Sequence, residues 1–576
     1  MKFGKAFSDN VIIGQFQRSR LGKARDPGWW QGRGRALLFA TILLVSSFIL
    51  IWRLFRLTII DGFRFRSLAD GNRTRELIAH APRGILVDRT GVPLVKNEVT
   101  TRGEHGLYSE IDYNRVYPFG EVLAHVVGYT GELTQEELAD EYYSLRRYQL
   151  GDRMGRMGAE AVFEEKLHGR DGRELVEVDA IGRTIRTLGT VPATPGETVE
   201  LSLDGALAEV VAAAFPVGQR GAVVVSKPTT GEVLALYSSP SFNPNGFTLG
   251  QTNEQYQALT TNPDEPMFFR AIGGAYPPGS TFKLVTAVSA LEEGAVRRDT
   301  LIEDTGVINI GPFSYPNWFF LQYGKTDGLV DMVKAIQRSN DIYFYKAGEA
   351  VGIERLNRWA RKLGVGRPLG IEIAGEAAGL MPDPAWKKER FTSRADLEAR
   401  NHLWFLGDTY HVAIGQGYLL TTPLQVNTWT NSIANGGKLC RPTIKKGVRD
   451  CHDLGIGEET IGVITEGMKK ACETGGTGLP LFNFKVGAAH VPVACKTGTA
   501  EFGDPDNKTH AWFTVFAPIP VLGSGLEKRE GQTPSDTERI SGEPEISITV
   551  LVEGAGEGSD VAAPIAKKIL EEWFRR

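Results

Sequence analysis

The chain has 576 residues, a formal net charge of −4 and 42% hydrophobic residues, too long for one ordinary core, so two or three domains are expected. The slight acidic balance leaves no basic excess to neutralise phosphates, which argues against a nucleic-acid-binding protein. The four cysteines, Cys440, Cys451, Cys472 and Cys495, fall in the last third with no C-x-x-C spacing; neither a zinc ribbon nor a thioredoxin-type centre is indicated, and buried thiols or up to two disulfides stay open.

Residues 1–35 are basic and without periodicity, as expected of a short cytoplasmic tail. The apolar run at 36–52, ALLFATILLVSSFILIW, is followed by Arg53 and Arg56, whose long side chains can reach the interface. A cleaved signal peptide is the competing reading, but no A-x-A-like site follows the run. Residues 36–57 are therefore read as one transmembrane anchor. Six Lys/Arg at 16–35 against four at 53–72 favour an N-terminus inside, with the remainder of the chain outside the cytoplasm.

Beyond the anchor, 75–78 and 84–87 read as short strands around Ala81-Pro82-Arg83-Gly84, and 134–142 as a helix capped by Thr134. The glycines at 151–158 lack the lysine-serine ending of a phosphate loop. Strands are expected at 174–178 and 198–202. Near residue 218 the character changes: 221–226 and 233–237 flank the turn Thr229-Thr230-Gly231-Glu232, a hairpin signal. From there helices alternate with buried strands, closing with a strand at 546–553 and a helix at 561–574. Residues 521–544, rich in Gly, Ser, Glu and Pro, are expected to form a mobile hairpin insertion.

Three short motifs carry the chemistry. Pro277-Pro278-Gly279 leads into Ser280-Thr281-Phe282-Lys283, read as a loop entering a helix over 281–293, with Ser280 at the cap and Lys283 on the same side of the first turn. Alone, this pair reads as a helix cap and a solvated lysine. Ser339-Asn340-Asp341 joins helices expected at 329–337 and 342–349, and Lys496-Thr497-Gly498-Thr499 ends a strand expected at 491–495. In this order they match S-x-x-K, a variant of S-x-N, and K-T-G.

With these motifs, and with Gly158-Ala159-Glu160, the GIEIAGEAAG run at 370–379 and His510-Ala511-Trp512-Phe513, the sequence resembles the class B penicillin-binding proteins. These are membrane-anchored peptidoglycan D,D-transpeptidases. The S-x-D form of the middle motif resembles their elongation-type branch. The resemblance implies an α+β architecture: a pedestal at 58–215 and a transpeptidase domain at 216–576, built on a five-stranded antiparallel sheet flanked by helices.

It also implies roles. Ser280 would be the acylated nucleophile, Lys283 its base when neutral, and Ser339 a proton relay. Asp341, Lys496, Thr497, Gly498 and Thr499 would bind substrate, with the backbone N–H groups of Ser280 and Thr499 as oxyanion hole. Asp341 is the departure, because an ionised carboxylate cannot donate to substrate as the commoner asparagine can, and it raises the pKa of Lys283. The aromatic run Trp318-Phe319-Phe320 reads equally as groove lining or core, and His510 as structural. No cofactor or metal is expected. The implied partners are peptidoglycan stem peptides, β-lactams as inhibitors and a separate SEDS-family glycosyltransferase. A D,D-carboxypeptidase, and a non-catalytic scaffold for a glycosyltransferase, are the alternatives.

Overall fold

The computed structural model describes residues 29–102, 110–146, 148–179, 181, 183–519 and 542–576. Most of the expected cytoplasmic tail, and residues 521–541 of the expected insertion, lie outside the described residues. By internal contacts the chain divides into two units.

Among the described residues, the first unit holds α1 (Trp29–Phe55), α2 (Gly62–Arg73) and most of a three-stranded sheet. The strands are β1 (Thr74–Ala79), β2 (Gly172–Val178) and β3 (Thr184–Val191), in the order β1-β2-β3. Arg33–Ile60 is the one stretch among the described residues long and apolar enough to cross a membrane, and its side chains are exposed almost throughout.

The second unit takes in residues 78–105, 109–173 and 190–576 and so runs across position 215. The helix expected at 134–142 is instead two short turns, Glu137–Ala139 and Glu141–Leu145. Asp140 separates them in extended conformation and caps the second by accepting from Tyr142 N–H. Helix α3 (Gly205–Ala214) follows, started by the Asp204 carboxylate accepting from Leu207 N–H.

The large sheet is assembled from β4 (Gly221–Ser226), β5 (Val233–Ser239), β6 (Ala494–Glu501), β7 (Thr509–Ala517) and β8 (Ile546–Val552), in the order β5-β4-β8-β7-β6 with every pair antiparallel. Alternation along each strand sends side chains to opposite faces. Phe513 and Val515 of β7 belong to one core, shared with Ile565 and Ile569 of α10 (Ala563–Arg575). Trp512 and Phe516 belong to another, shared with α4 (Lys283–Glu292), α7 (Asp341–Val351) and α8 (Pro423–Ala434). Ala494 and Ala500 of β6 lie in this second core, so strand parity turns Lys496 toward the face of α4.

Strand β6 begins at Ala494 rather than ending at 495, so Lys496-Thr497-Gly498-Thr499 lies inside the strand. Pro492 has no N–H for a ladder, which delays the strand's start. The helix expected at 329–337 is α6 (Met332–Arg338); residues Gly328–Val330 pair as a strand with Ile302–Asp304 instead.

Candidate active site

Ser280 does not cap a helix. It lies in a 3-10 turn, Gly279–Phe282, whose cap position is Pro278, and Lys283 opens α4 immediately afterwards. The turn is held from several sides. Gly279 N–H donates to Gly415 O at 2.9 Å, Thr281 Oγ1 to Pro278 O at 2.8 Å, and Trp512 Nε1 to Pro277 O at 3.0 Å. Phe282, fully buried, meets Trp429 edge to face. These contacts fix the nucleophile candidate on a rigid element.

The Lys283 side chain is fully buried. Its Nζ donates to Ser339 O at 2.8 Å and to Asp341 Oδ1 at 2.5 Å, with Ser339 Oγ at 3.4 Å. Ser339 ends α6 in left-handed conformation, φ 52°, which is uncommon for a residue with a Cβ and typical of functional turns. That turn brings its hydroxyl under Lys496, whose Nζ donates to Ser339 Oγ at 2.8 Å and to Thr497 O at 2.9 Å. Ser339 therefore sits between two buried lysine amines.

Burial pushes the Lys283 pKa below the usual lysine range, and the Asp341 carboxylate opposes that shift. Lys496 is pushed well below, first by burial and then by the charge of Lys283. Burial is the main influence on Lys283.

Asp341 is held on both sides. Its Oδ2 accepts from Trp318 N–H at 2.9 Å, and its own N–H donates to Asn317 Oδ1 at 3.1 Å. Asn317 precedes α5 (Trp318–Tyr323), none of whose residues is buried, so the aromatic run flanks the middle motif and does not fill the core. Behind it lies a network absent from the sequence reading. Asp304 Oδ2 accepts from Asn317 Nδ2 (2.8 Å), Asn340 Nδ2 (2.9 Å) and Asp327 N–H (2.8 Å), and Asn340 Nδ2 also donates to Asp327. Asn340 in turn caps α7 by accepting from Tyr343 N–H. The asparagines were open to discovery as residues preceding helices; the two aspartates carry no local signal.

On β6, Thr497 Oγ1 donates to Thr477 Oγ1 at 2.7 Å and Thr499 Oγ1 to Glu557 Oε2 at 2.6 Å. A Cβ on Gly498 would stand 3.0 Å from Thr281 Cγ2 and from Trp512 Cβ, and 3.2 Å from Pro278 O. The missing side chain thus lets the Ser280 turn pack on the strand. A Cβ on Gly279 would stand 2.6 Å from Thr499 O, so the backbones of the Ser280 turn and of Thr499 are neighbours. Among the described residues, strand β6 is the edge strand of the sheet.

The cysteines form two disulfides, Cys440–Cys451 and Cys472–Cys495. The second joins the residue after α9 (Glu458–Ala471) to β6, one position before Lys496. His510 stacks on Phe502 and accepts from Gly554 N–H at 3.2 Å; burial lowers its pKa to about 4. Gly415 contacts Gly279, and Thr422 and Pro423 open α8 with a capping box, in keeping with packing roles for both segments.

The family model described as the penicillin-binding protein transpeptidase domain matches residues 221–522, and the penicillin-binding protein dimerisation domain matches residues 100–201. The peptidoglycan D,D-transpeptidase MrdA of Acinetobacter baumannii is 34% identical over 89% of this chain and 73% of its own length. The penicillin-binding protein PBP2 of Helicobacter pylori, solved in complex with MreC, superposes with a TM-score of 0.71 at 25% identity over 87% of this chain and 99% of that one. A chain from a peptidoglycan synthase complex, solved for the structural coordination of polymerization and crosslinking, superposes with a TM-score of 0.70 at 28% identity over 93% of this chain and 98% of that one.

Proposed function

The chain belongs to the penicillin-binding protein transpeptidase family, and from that membership we propose that it cross-links peptidoglycan through an acyl-enzyme on Ser280. It is a D,D-transpeptidase of the class B, elongation-type branch. The observation that carries the serine mechanism is the meeting of all three motifs at one point. Lys283 Nζ lies on Ser339 O and Lys496 Nζ on Ser339 Oγ, each at 2.8 Å, beside the Ser280 turn.

Ser280 Oγ attacks the carbonyl of the penultimate D-alanine and passes its proton to neutral Lys283. The oxyanion forms against the N–H groups of Ser280 and Thr499, each such donor contributing about 3 kcal/mol. Collapse expels the terminal D-alanine, whose amine takes its proton through Ser339. The acceptor amine of a second stem peptide then attacks the ester, its proton leaves by the same route, and Ser280 is regenerated. Lys496, Thr497 and Thr499 hold the terminal carboxylate, which the carboxylate of a β-lactam mimics. Asp341 orients Lys283, and Gly498 seats the Ser280 turn.

Between Lys283 and Lys496 the buried site holds one carboxylate, Asp341. Two ammonium groups beside one carboxylate leave a net charge that burial disfavours. The resting state is therefore a Lys283–Asp341 ion pair with Lys496 neutral. Lys283 becomes a base when its proton moves through Ser339 Oγ to Lys496, along contacts of 3.4 and 2.8 Å.

We read residues 36–57 as a membrane anchor with the N-terminus inside, 58–215 as the pedestal and 216–576 as the transpeptidase domain. A separate SEDS-family polymerase is the partner proposed to supply glycan strands, in line with the synthase-complex relative; the MreC-bound relative makes a partner of that kind a second proposal. The test is to give the detergent-solubilised full chain glycan strands carrying pentapeptide stems. Cross-linked dimers with stoichiometric free D-alanine, both lost in Ser280→Ala, are expected. Free D-alanine without dimers would instead mark a carboxypeptidase.

A further inference from the structure

The loop from β8 to α10 passes the open end of β6, and Glu557 on it holds the hydroxyl of Thr499. Thr499 Oγ1 donates to Glu557 Oε2 at 2.6 Å, and Gln322 Nε2, on α5, donates to Glu557 Oε1 at 3.2 Å. One glutamate thus links the end of β6 to α5.

Its position is built into the backbone. Glu553, four residues before, is bound by Arg270 (2.9 Å), Arg220 (3.1 Å) and the Tyr276 hydroxyl (2.7 Å). Gly556 N–H donates to Thr509 O, and Thr509 Oγ1 donates back to Gly556 O, each at 3.0 Å. On the other side a Cβ on Gly558 would stand 2.1 Å from Trp512 O and 2.5 Å from Gly498 O, so only glycine lets the chain lie this close to β6 and β7. Glu557 is flanked by two pinned neighbours and points its carboxylate at the third residue after Lys496.

We propose that Glu557 is a specificity-determining gate, an internal carboxylate that occupies Thr499 in place of the substrate's terminal carboxylate and must be displaced for substrate to seat. A threonine hydroxyl has one proton to donate, and a carboxylate can only accept. Two carboxylates therefore compete for Thr499 and repel each other while they do. The gate selects for ligands whose remaining contacts along β6 outweigh that competition, and disfavours small anions. The proposal rests on the transpeptidase reading above.

The experiment measures the second-order rate of acylation of the full chain by a fluorescent penicillin and by its methyl ester, at low and high salt. For Glu557→Gln the rate with the acid is expected to rise about 3-fold at low salt, the gap closing as salt screens the repulsion. With the ester, which lacks the second charge, the variant should gain less than with the acid. Gln322→Leu, which frees Glu557 without touching it, should raise the acid rate in the same sense and by less. A wild type labelled at Ser280 with neither variant faster toward the acid overturns the gate and leaves the transpeptidase reading standing. A wild type that takes no label at Ser280 overturns that reading, and the gate with it.

Discussion

Lys283 Nζ lies 2.5 Å from Asp341 Oδ1, with the lysine side chain 0% and the aspartate side chain 10% exposed. A catalytic base that begins life in an ion pair must lose its proton against the pull of that carboxylate. The pair orients the amine and at the same time raises its pKa, and the acid-base behaviour of the enzyme turns on that balance.

Asp341→Asn keeps the hydrogen bond from the lysine and removes the charge. Asp341 raises the Lys283 pKa, so its neutralisation lowers it, and the deprotonated base persists to lower pH. Acylation should remain measurable, with the acid limb of its pH profile displaced to lower pH. Following penicillin acylation from pH 5 to 9 reads the shift. Complete loss of labelling at every pH would show that the carboxylate itself is required.

Ser339 has two separable properties, a hydroxyl and a left-handed backbone. Ser339→Ala and Ser339→Gly both delete the proton relay and should slow acylation by about 100-fold or more. Glycine suits the backbone, so the Gly variant should be about 1 kcal/mol more stable than the Ala variant. Equal activity loss with unequal urea midpoints is the expected pattern.

Asp304 is nearly fully buried and receives Asn317, Asn340 and the Asp327 N–H on one oxygen. Asp304→Ala strands those donors, at a cost of about 2–4 kcal/mol. Because the same asparagines support Asp341 and the start of α7, the acylation rate should fall with stability. Urea denaturation alongside penicillin labelling checks both.

The Cys472–Cys495 bridge closes a separation of 23 residues and ends one position before Lys496. By loop entropy its removal in Cys472→Ser/Cys495→Ser should cost about 3 kcal/mol. Adding a reductant to the wild type, monitored by thermal melting, should lower the midpoint toward that of the double variant.

Much of this site is written locally. Ser280 and Lys283 stand three residues apart, and Lys496-Thr497-Gly498 follows an apolar run; each is weak alone, and their order along the chain makes them legible. Individual strands of the sheet are legible as short apolar runs, as in 221–226 and 546–552, while their assembly into one five-stranded sheet is what the resemblance implies. What escaped depends on pairing across the chain. Asp304 and Asp327 reach Asn340 from 36 and 13 residues away, and Glu557 reaches Thr499 from 58 residues away. The start of β6 was misplaced because apolar content outweighed the missing N–H of Pro492. A serine before a helical run ordinarily caps it, so the sequence predicts a cap at Ser280; the 3-10 turn is set by packing against Gly415 and Trp512.

The most direct measurement is mass-spectrometric peptide mapping of the full chain after reaction with penicillin, beside Ser280→Ala. A single acyl adduct on the peptide containing Ser280, absent from the variant, is the expected result. An adduct on another residue, or equal labelling of Ser280→Ala, would contradict the assignment of Ser280 as nucleophile.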